Sequence, residues 1–314
     1  MAIYLLQRVS LAVLICALAM VVLFGMIYVI PGDPASVALG PRATPAMKEA
    51  LRASMGLDRA LPVQLFNYFS AVVTGDLGQD VWTRRSVSGI IGKALPQTLV
   101  LILAGLGGAA LIGVPLGCFS AVRRNSWIDK LAAVVSVGAI SIPSFVVAVY
   151  LLLLFAVVLK WFPAIGAGRP GNLPDQLWHL VLPAIALGFG WVGYLSRIVR
   201  ASMLEVMGED HIRTATAFGL PERRIVMNYA LRIAIVPTIT VLGLAFGSLL
   251  SGAVFTEIVF SRPGIGRLVY DAVQARNYPV VQGVVLSTVV LFVTANLLAD
   301  LAIAWLDPRV RARL

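Results

Sequence analysis

Six stretches of this chain, at residues 9–30, 97–120, 131–159, 176–196, 233–256 and 277–299, pass without a single Asp, Glu, Lys or Arg. Crossing about 30 Å of hydrocarbon takes about 20 helical residues, and every one of these stretches is that long. The fold class they predict is an all-α integral membrane protein with six transmembrane helices. A soluble domain is excluded by composition as well: 59% of the residues are apolar and 13% are charged, against about 45–50% and about 25% in soluble domains. The third stretch contains Pro143 and exceeds what one crossing needs, which predicts a tilted, kinked or extended helix. The first follows Arg8 and precedes a small-residue run, Ser36-Val37-Ala38, but its 22 uncharged residues exceed the h-region of about 7–15 that a cleaved signal peptide has.

The net charge of +10 does not mark a nucleic-acid partner, because the basic residues lie scattered between apolar spans and not on one face. Lys and Arg are retained on the cytoplasmic side of membrane proteins, and their count sets the orientation. With the N-terminus inside, Arg8, Arg123, Arg124, Lys130, six arginines between 197 and 232, and Arg309, Arg311 and Arg313 are cytoplasmic. The two short outer loops then hold only Lys160, Arg169, Arg262, Arg267 and Arg276. Both termini are therefore expected in the cytoplasm of a cell with an inner membrane. Helices in lipid associate by close backbone approach, and the GxxxG pairs Gly113/Gly117 and Gly243/Gly247 predict packing within the chain.

Two segments outside the spans are long enough to have structure. In residues 31–96, Thr44-Pro45 reads as a helix start and Met47, Leu51 and Met55 follow at helical spacing. A second helix is expected after Pro62, with Leu65, Phe69 and Val72 on one face and Gly75-Asp76-Leu77-Gly78 as its stop. This small helical insertion would lie outside the cytoplasm, either as a plain folded loop or as a docking surface. In residues 197–232, Arg197, Arg200, Met203 and Met207 continue the fourth helix and Gly208 offers a turn. A short helix from Glu209 to Phe218 then opens on the acidic pair Glu209-Asp210 and closes at Gly219. Pro221 begins a third helix, with Glu222 in its first turn and Ile225, Val226 and Tyr229 as its apolar stripe. A short projecting helix of this kind suits mechanical coupling to another subunit, and equally an ordinary solvated loop.

The chain has no Walker A loop, since Val87 and Ala94 stand around Gly92-Lys93 where Gly and Ser or Thr belong; Gly105-Leu106-Gly107-Gly108 lies in an apolar span and reads as helix packing. No ATP hydrolysis, cofactor, metal site or catalytic group is expected. His179 and His211 fall near opposite membrane faces, and Cys16 and Cys118 lie in apolar runs as small buried side chains. The spans lack the ionisable groups that secondary transporters and pumps place in the membrane, so energy for transport has to come from a partner, or the protein is a passive channel or a scaffold.

A series of landmarks then appears in a recognisable order: Pro31-Gly32-Asp33-Pro34-Ala35, Gly75-Asp76-Leu77-Gly78, Leu95-Pro96-Gln97-Thr98, Ile142-Pro143-Ser144-Phe145, Arg262-Pro263-Gly264-Ile265-Gly266, Tyr278-Pro279-Val280-Val281-Gln282-Gly283 and Leu306-Asp307-Pro308-Arg309. With them comes His211-Ile212-Arg213-Thr214-Ala215-Thr216-Ala217-Phe218-Gly219-Leu220, which is similar to the EAA motif of importer permeases. From Arg8 to Arg311 the chain resembles the peptide/nickel branch of binding-protein-dependent ATP-binding-cassette importers. It departs from that pattern at Asn277, where an acidic residue is common, at Thr216 and Phe218, where basic residues are common, and at Pro237, which stands farther from Gly219 than the general motif has it. The resemblance implies a type I importer permease fold: residues 1–94 as first helix plus extracytoplasmic region, 95–305 as a core of five helices with the coupling loop, and 306–314 as a cytoplasmic tail. It also implies a second homologous permease subunit, two ATPase subunits, an extracytoplasmic substrate-binding protein and membrane lipid as partners. Glu209, Asp210, Arg213, Thr214, Ala215, Ala217, Gly219, Leu220, Glu222 and Arg223 are the implied ATPase-coupling residues. Small peptides are the implied substrate, with nickel chelates or other small solutes as the alternative on the same scaffold.

Overall fold

A computed structural model of the chain describes residues 2–29, 44–55 and 58–306. The Pro31–Ala35 landmark, Ser36-Val37-Ala38 and the tail beyond Leu306 lie outside the described residues. Within them the structure is helical, without a β-strand and with one isolated antiparallel bridge between Gln79 and Ser86. Five helices are long and apolar enough to cross a membrane: α1 (Ala2–Val29), α4 (Val87–Val122), α7 (Leu173–Val206), α11 (Val236–Val259) and α13 (Tyr278–Leu306). The third uncharged stretch forms α5 (Trp127–Ser141) and α6 (Ser144–Leu151), continued by a π-helical segment, Leu152–Val158. These two arms meet at 98°, making a sixth crossing if the pair is one span. Pro143 causes the break, because a residue before proline is pushed out of the α region. Ile142 accordingly sits at φ −91°, ψ 120° and ends α5.

By its internal contacts the chain forms two units, residues 1–97 with 263–294 and residues 98–262 with 295–314. In the first, α2 (Pro45–Met55) starts as expected, with the Met47 N–H donating to Thr44 Oγ1 at 3.3 Å. Next, α3 (Leu61–Val73) has Pro62 in its first turn and turns its Phe69 and Val72 toward Met20 and Leu23 of α1. It ends in a Schellman motif: Asp76 N–H donates to Ala71 O and Gly75 N–H to Val72 O, which requires the left-handed φ of +82° at Gly75. A loop then leads into α4, and α12 (Ile265–Gln274) packs Ile265 and Ala272 with Val87, Ile91 and Val280 of α4 and α13. Gln282 places its amide nitrogen 2.7 Å from Leu23 O, satisfying a buried side chain across α1 and α13.

In the second unit α7 is central, and α5, α6 and α11 all lie against it. The Gly113/Gly117 pair packs within the chain, as the spacing predicts: a Cβ on Gly113 would meet Val192 O at 2.8 Å, and one on Gly117 would collide with Ser196 O, both on α7. Gly243 of the second pair lies against Ala299 of α13. The helices also extend past the uncharged limits of the sequence. The 34 residues of α7 make about 51 Å of helix against about 30 Å of hydrocarbon, so Asp175, Arg197, Arg200 and Glu205 are all on it. One correction concerns α11, where the uncharged stretch stops at 256 but the helix continues through Glu257, which is fully buried and accepts a 2.6 Å hydrogen bond from Thr98 Oγ1. The spans are therefore not devoid of ionisable groups.

Candidate functional site

The segment after α7 is built for projection. Its next helix, α8 (Asp210–Ala217), is eight residues long, too short to persist alone in water. What holds it is a seat. Ile212 and Ala215, three residues apart and so on one face, are 4% and 5% exposed and sit among Met203 and Val206 of α7, Cys118 and Ala121 of α4, and Ile225, Val226 and Ala230 beyond. Burying Ile212 is worth about 2 kcal/mol. Glu209 enters the helix in extended geometry at φ −75°, ψ 154°, and its carbonyl accepts the Ile212 N–H at 3.1 Å. The exit is a second Schellman motif, in which Leu220 N–H donates to Ala215 O at 3.3 Å and Gly219 N–H to Thr216 O at 2.9 Å. Gly219 takes φ +73°, a conformation that side chains oppose, and Leu220 tucks back against the same core.

The residues implied for coupling divide into two groups. Asp210, Arg213, Thr214, Ala217 and Gly219 are exposed, as are Glu222 and Arg223 on the following turn, α9 (Glu222–Arg224). Ala215 faces inward and belongs to the seat; Leu220 is half-buried. Arg213 and Asp210 pair at 3.3 Å with side chains 78% and 92% exposed; such a pair is worth little in water and leaves both groups open to a partner. Glu209 lies 3.0 Å from His211 Nδ1. Phe218 is 82% exposed at the tip, where a large aromatic ring in solvent has no structural use to the chain itself.

After α9 the helix widens into a π segment, Ile225–Ala230, before α10 (Leu231–Ala234). The apolar stripe expected at Ile225, Val226 and Tyr229 is shifted by this widening: i→i+5 bonding brings Ala230 under Ile225, so Ala230 and Ala234 are buried and Tyr229 is exposed.

A feature not read from the sequence stands at the base of the seat. Asp129, in the first turn of α5, is 4% exposed and accepts hydrogen bonds from four donors. Arg200 of α7 grips it with two, Nε to Oδ1 at 2.6 Å and Nη2 to Oδ2 at 2.7 Å. Ser120 Oγ and the Asn125 N–H supply the others at 2.5 and 2.9 Å. A fork-to-fork guanidinium–carboxylate pair fixes orientation as well as distance, so the end of α4, the start of α5 and the last turns of α7 are tied at one point. The sequence signals only the helix start, as Ser126-x-x-Asp129 before an apolar run, and Ser126 does cap α5 by accepting the Asp129 N–H.

Among the described residues no cluster of three or more His, Cys, Asp or Glu side chains is placed to hold a metal ion. His179 and His211 are separated by the length of α7 beyond residue 179, about 40 Å at 1.5 Å per residue.

Comparison with known proteins places the chain in a family. Residues 113–312 match the family described as "Binding-protein-dependent transport system inner membrane component", and residues 1–102 match the family described as "Binding-prot-dependent transport system membrane comp, N-term". The Escherichia coli K12 protein named "Probable D,D-dipeptide transport system permease protein DdpB" is 40% identical, with 97% of this chain and 96% of that protein covered. The glutathione transport system permease protein GsiC is 37% identical in both Escherichia coli K12, with 93% of each chain covered, and Pectobacterium atrosepticum, with 94% of each covered. Among solved structures, a chain of the MetNI methionine ABC transporter in an inward-facing conformation superposes with a TM-score of 0.58 at 18% identity, over 69% of this chain and 96% of that one. The full-length relatives and the family match across both halves make this multi-pass chain a member of the inner membrane components of binding-protein-dependent transport systems.

Proposed function

We infer that this chain is the membrane-spanning permease subunit of an ATP-driven importer of small peptides, performing no covalent chemistry and taking its energy from separate ATPase subunits. The observation that carries this reading is α8, a short helix seated by Ile212 and Ala215 on two membrane helices, with Arg213, Thr214, Ala217 and Phe218 turned outward. A load on that outer face is passed through the seat to α7 and α4. Closure of an ATPase pair against it would move these helices as rigid bodies between inward-facing and outward-facing states. The relatives named for D,D-dipeptide and glutathione transport support peptides as the cargo class. The full machine would hold this subunit, a second permease subunit, two ATPases and an extracytoplasmic binding protein, with both termini of this chain on the ATPase side.

ATP-dependent uptake of a labelled di- or tripeptide into proteoliposomes containing the assembled complex tests this. Uptake is expected to require both ATP and the binding protein; hydrolysis stimulated by the binding protein without peptide flux would keep the machine and reject the cargo. Within the same assay, Phe218→Ala is expected to weaken ATPase docking by about tenfold or more, as the loss of an interface aromatic does. Arg213→Glu is expected to reduce uptake in the same direction while the seat stays intact. Wild-type uptake in both variants would remove α8 from the coupling surface.

A further inference from the structure

In the first unit a groove of about 630 Å3 opens between the start of α4 and the start of α12. Its charged lining is unbalanced. Among the described residues, Arg85, Lys93 and Arg267 face one carboxylate, Asp271, which leaves an excess of two positive charges on the described lining. Asp271 lies 3.6 Å from Arg267, and neither Arg85 nor Lys93 has a carboxylate within ion-pair distance among the described residues. Two neutral groups, Ser86 and Gln97, complete the polar lining, and Lys93 and Gln97 stand one turn apart on the same face of α4. The groove also meets the beginning of α12 at Gly264, so the positive end of that helix dipole adds to the field.

The segment presenting Arg85 is held in place. Asp80 N–H donates to Arg85 O at 2.9 Å and Val87 N–H to Gly78 O at 2.9 Å, closing a tight loop. Inside it, Asp80 Oδ1 accepts the Trp82 and Thr83 N–H groups at 2.7 and 2.9 Å. Burial pushes the Asp80 carboxyl up, but these hydrogen bonds outweigh it and hold the group below its ordinary value, so it stays ionised and committed to its own loop. The Trp82 indole N–H reaches Ala275 O at 3.3 Å, anchoring the loop beside α12.

We propose that this groove, through Arg85, Lys93 and Arg267, binds the carboxylate of the peptide cargo at the extracytoplasmic entrance. This rests on the peptide-importer reading. Small peptides differ in every side chain but share a terminal carboxylate, so a cationic groove with few shape constraints selects the class without selecting the sequence. Guanidinium and ammonium donors both suit it, the first as a fork and the second as a point charge. The phosphate of an anionic lipid headgroup shares the chemistry.

The test uses the assembled importer in proteoliposomes, with one peptide presented as free acid and as C-terminal amide. The wild type, Arg85→Gln, Lys93→Gln and the double variant are compared, so that any preference of the binding protein is common to all. Each single variant is expected to lower the acid-to-amide uptake ratio by about tenfold, the effect of one lost charge-assisted hydrogen bond, and the double variant by more. An unchanged ratio overturns the proposal, as does an equal loss of both peptides, which marks a structural role. A shift only in the concentration of binding protein needed to stimulate ATP hydrolysis assigns the groove to protein docking and overturns it too. So does disappearance of the effect in vesicles of purely zwitterionic lipid, which assigns the groove to anionic lipid headgroups. No uptake of either peptide by the wild type defeats the cargo reading itself, and this proposal with it, whereas uptake without discrimination defeats this proposal alone.

Discussion

Arg200→Leu is expected to destabilise the protein by about 3 kcal/mol, the lower end of what breaking a buried ion pair costs, and to do so more than Asp129→Ala. The asymmetry follows from burial. With Arg200 gone, the Asp129 carboxyl is left at 5% side-chain exposure without its guanidinium partner, with only Ser120 Oγ and the Asn125 N–H as donors. With Asp129 gone, the Arg200 guanidinium is still 33% exposed and can turn into water, so about 2 kcal/mol is expected there. Replacing both partners by apolar residues removes the stranded charge, and buried pairs exchanged in this way are often neutral. The double variant Asp129→Leu/Arg200→Met should accordingly be more stable than Arg200→Leu alone. The midpoint for heat-induced loss of monodispersity in detergent reads all four proteins. A single Arg200→Leu variant with the wild-type midpoint would mean that the clamp does not hold α5 to α7.

The clamp also shows where a single sequence stops being informative. Asp129 and Arg200 are 71 positions apart, and nothing local to either announces the other; Arg200 enters a charge count as one more cytoplasmic arginine. Features written in neighbouring residues were legible. The α2 start at Thr44-Pro45, the end of α3 at Gly75 and the whole of residues 209–219 depend on caps and on one glycine conformation, and they fall within a residue or so of where the sequence puts them. The bend at Pro143 was legible as a kink, its 98° angle not, because the angle is set by what the two arms pack on. Inward or outward facing was harder. Tyr229 reads as core on an α-helical wheel, and a π segment exchanges it for Ala230. Ala215 lies in the motif that resembles a coupling helix, yet its side chain is buried in the seat, because the face an eight-residue helix buries is chosen by Met203 and Val206 of a different helix. Glu257 was placed beyond the fifth span because charge was taken as the boundary; Thr98, on α4, supplies the hydrogen bond that lets it stay inside.

The α4–α7 crossing sets the second large effect. A Cβ on Gly188 would collide with the Gly105 carbonyl oxygen and lie 3.1 Å from its carbon; one on Gly117 would collide with Ser196 O and lie 2.9 Å from Val199 Cβ. These obstacles are mostly backbone, which no rotamer change relieves, so the helices have to separate along their contact. Gly188→Ala and Gly117→Ala are each expected to cost about 3 kcal/mol, the upper part of the range for overpacking, and their combination should fall short of the sum because one separation serves both. Gly107→Ala is the control: it is on α4, as Gly117 is, with nothing within 4 Å of its Cβ, and losing a mid-helix glycine there should stabilise by about 0.5–1 kcal/mol. Equal folded yields for Gly188→Ala and Gly107→Ala would show that close approach is not what joins the helices. The crossing, the Arg200 clamp and the Met203–Val206 seat follow one another along α7 from residue 188 to 206, a run of about 27 Å. On the coupling role proposed for α8, a load arriving there enters a helix gripped at successive levels. Loosening the grip at Gly188 should lower ATP-driven uptake more than it lowers ATP hydrolysis, since the ATPase would still close on α8 while the far end of α7 no longer follows.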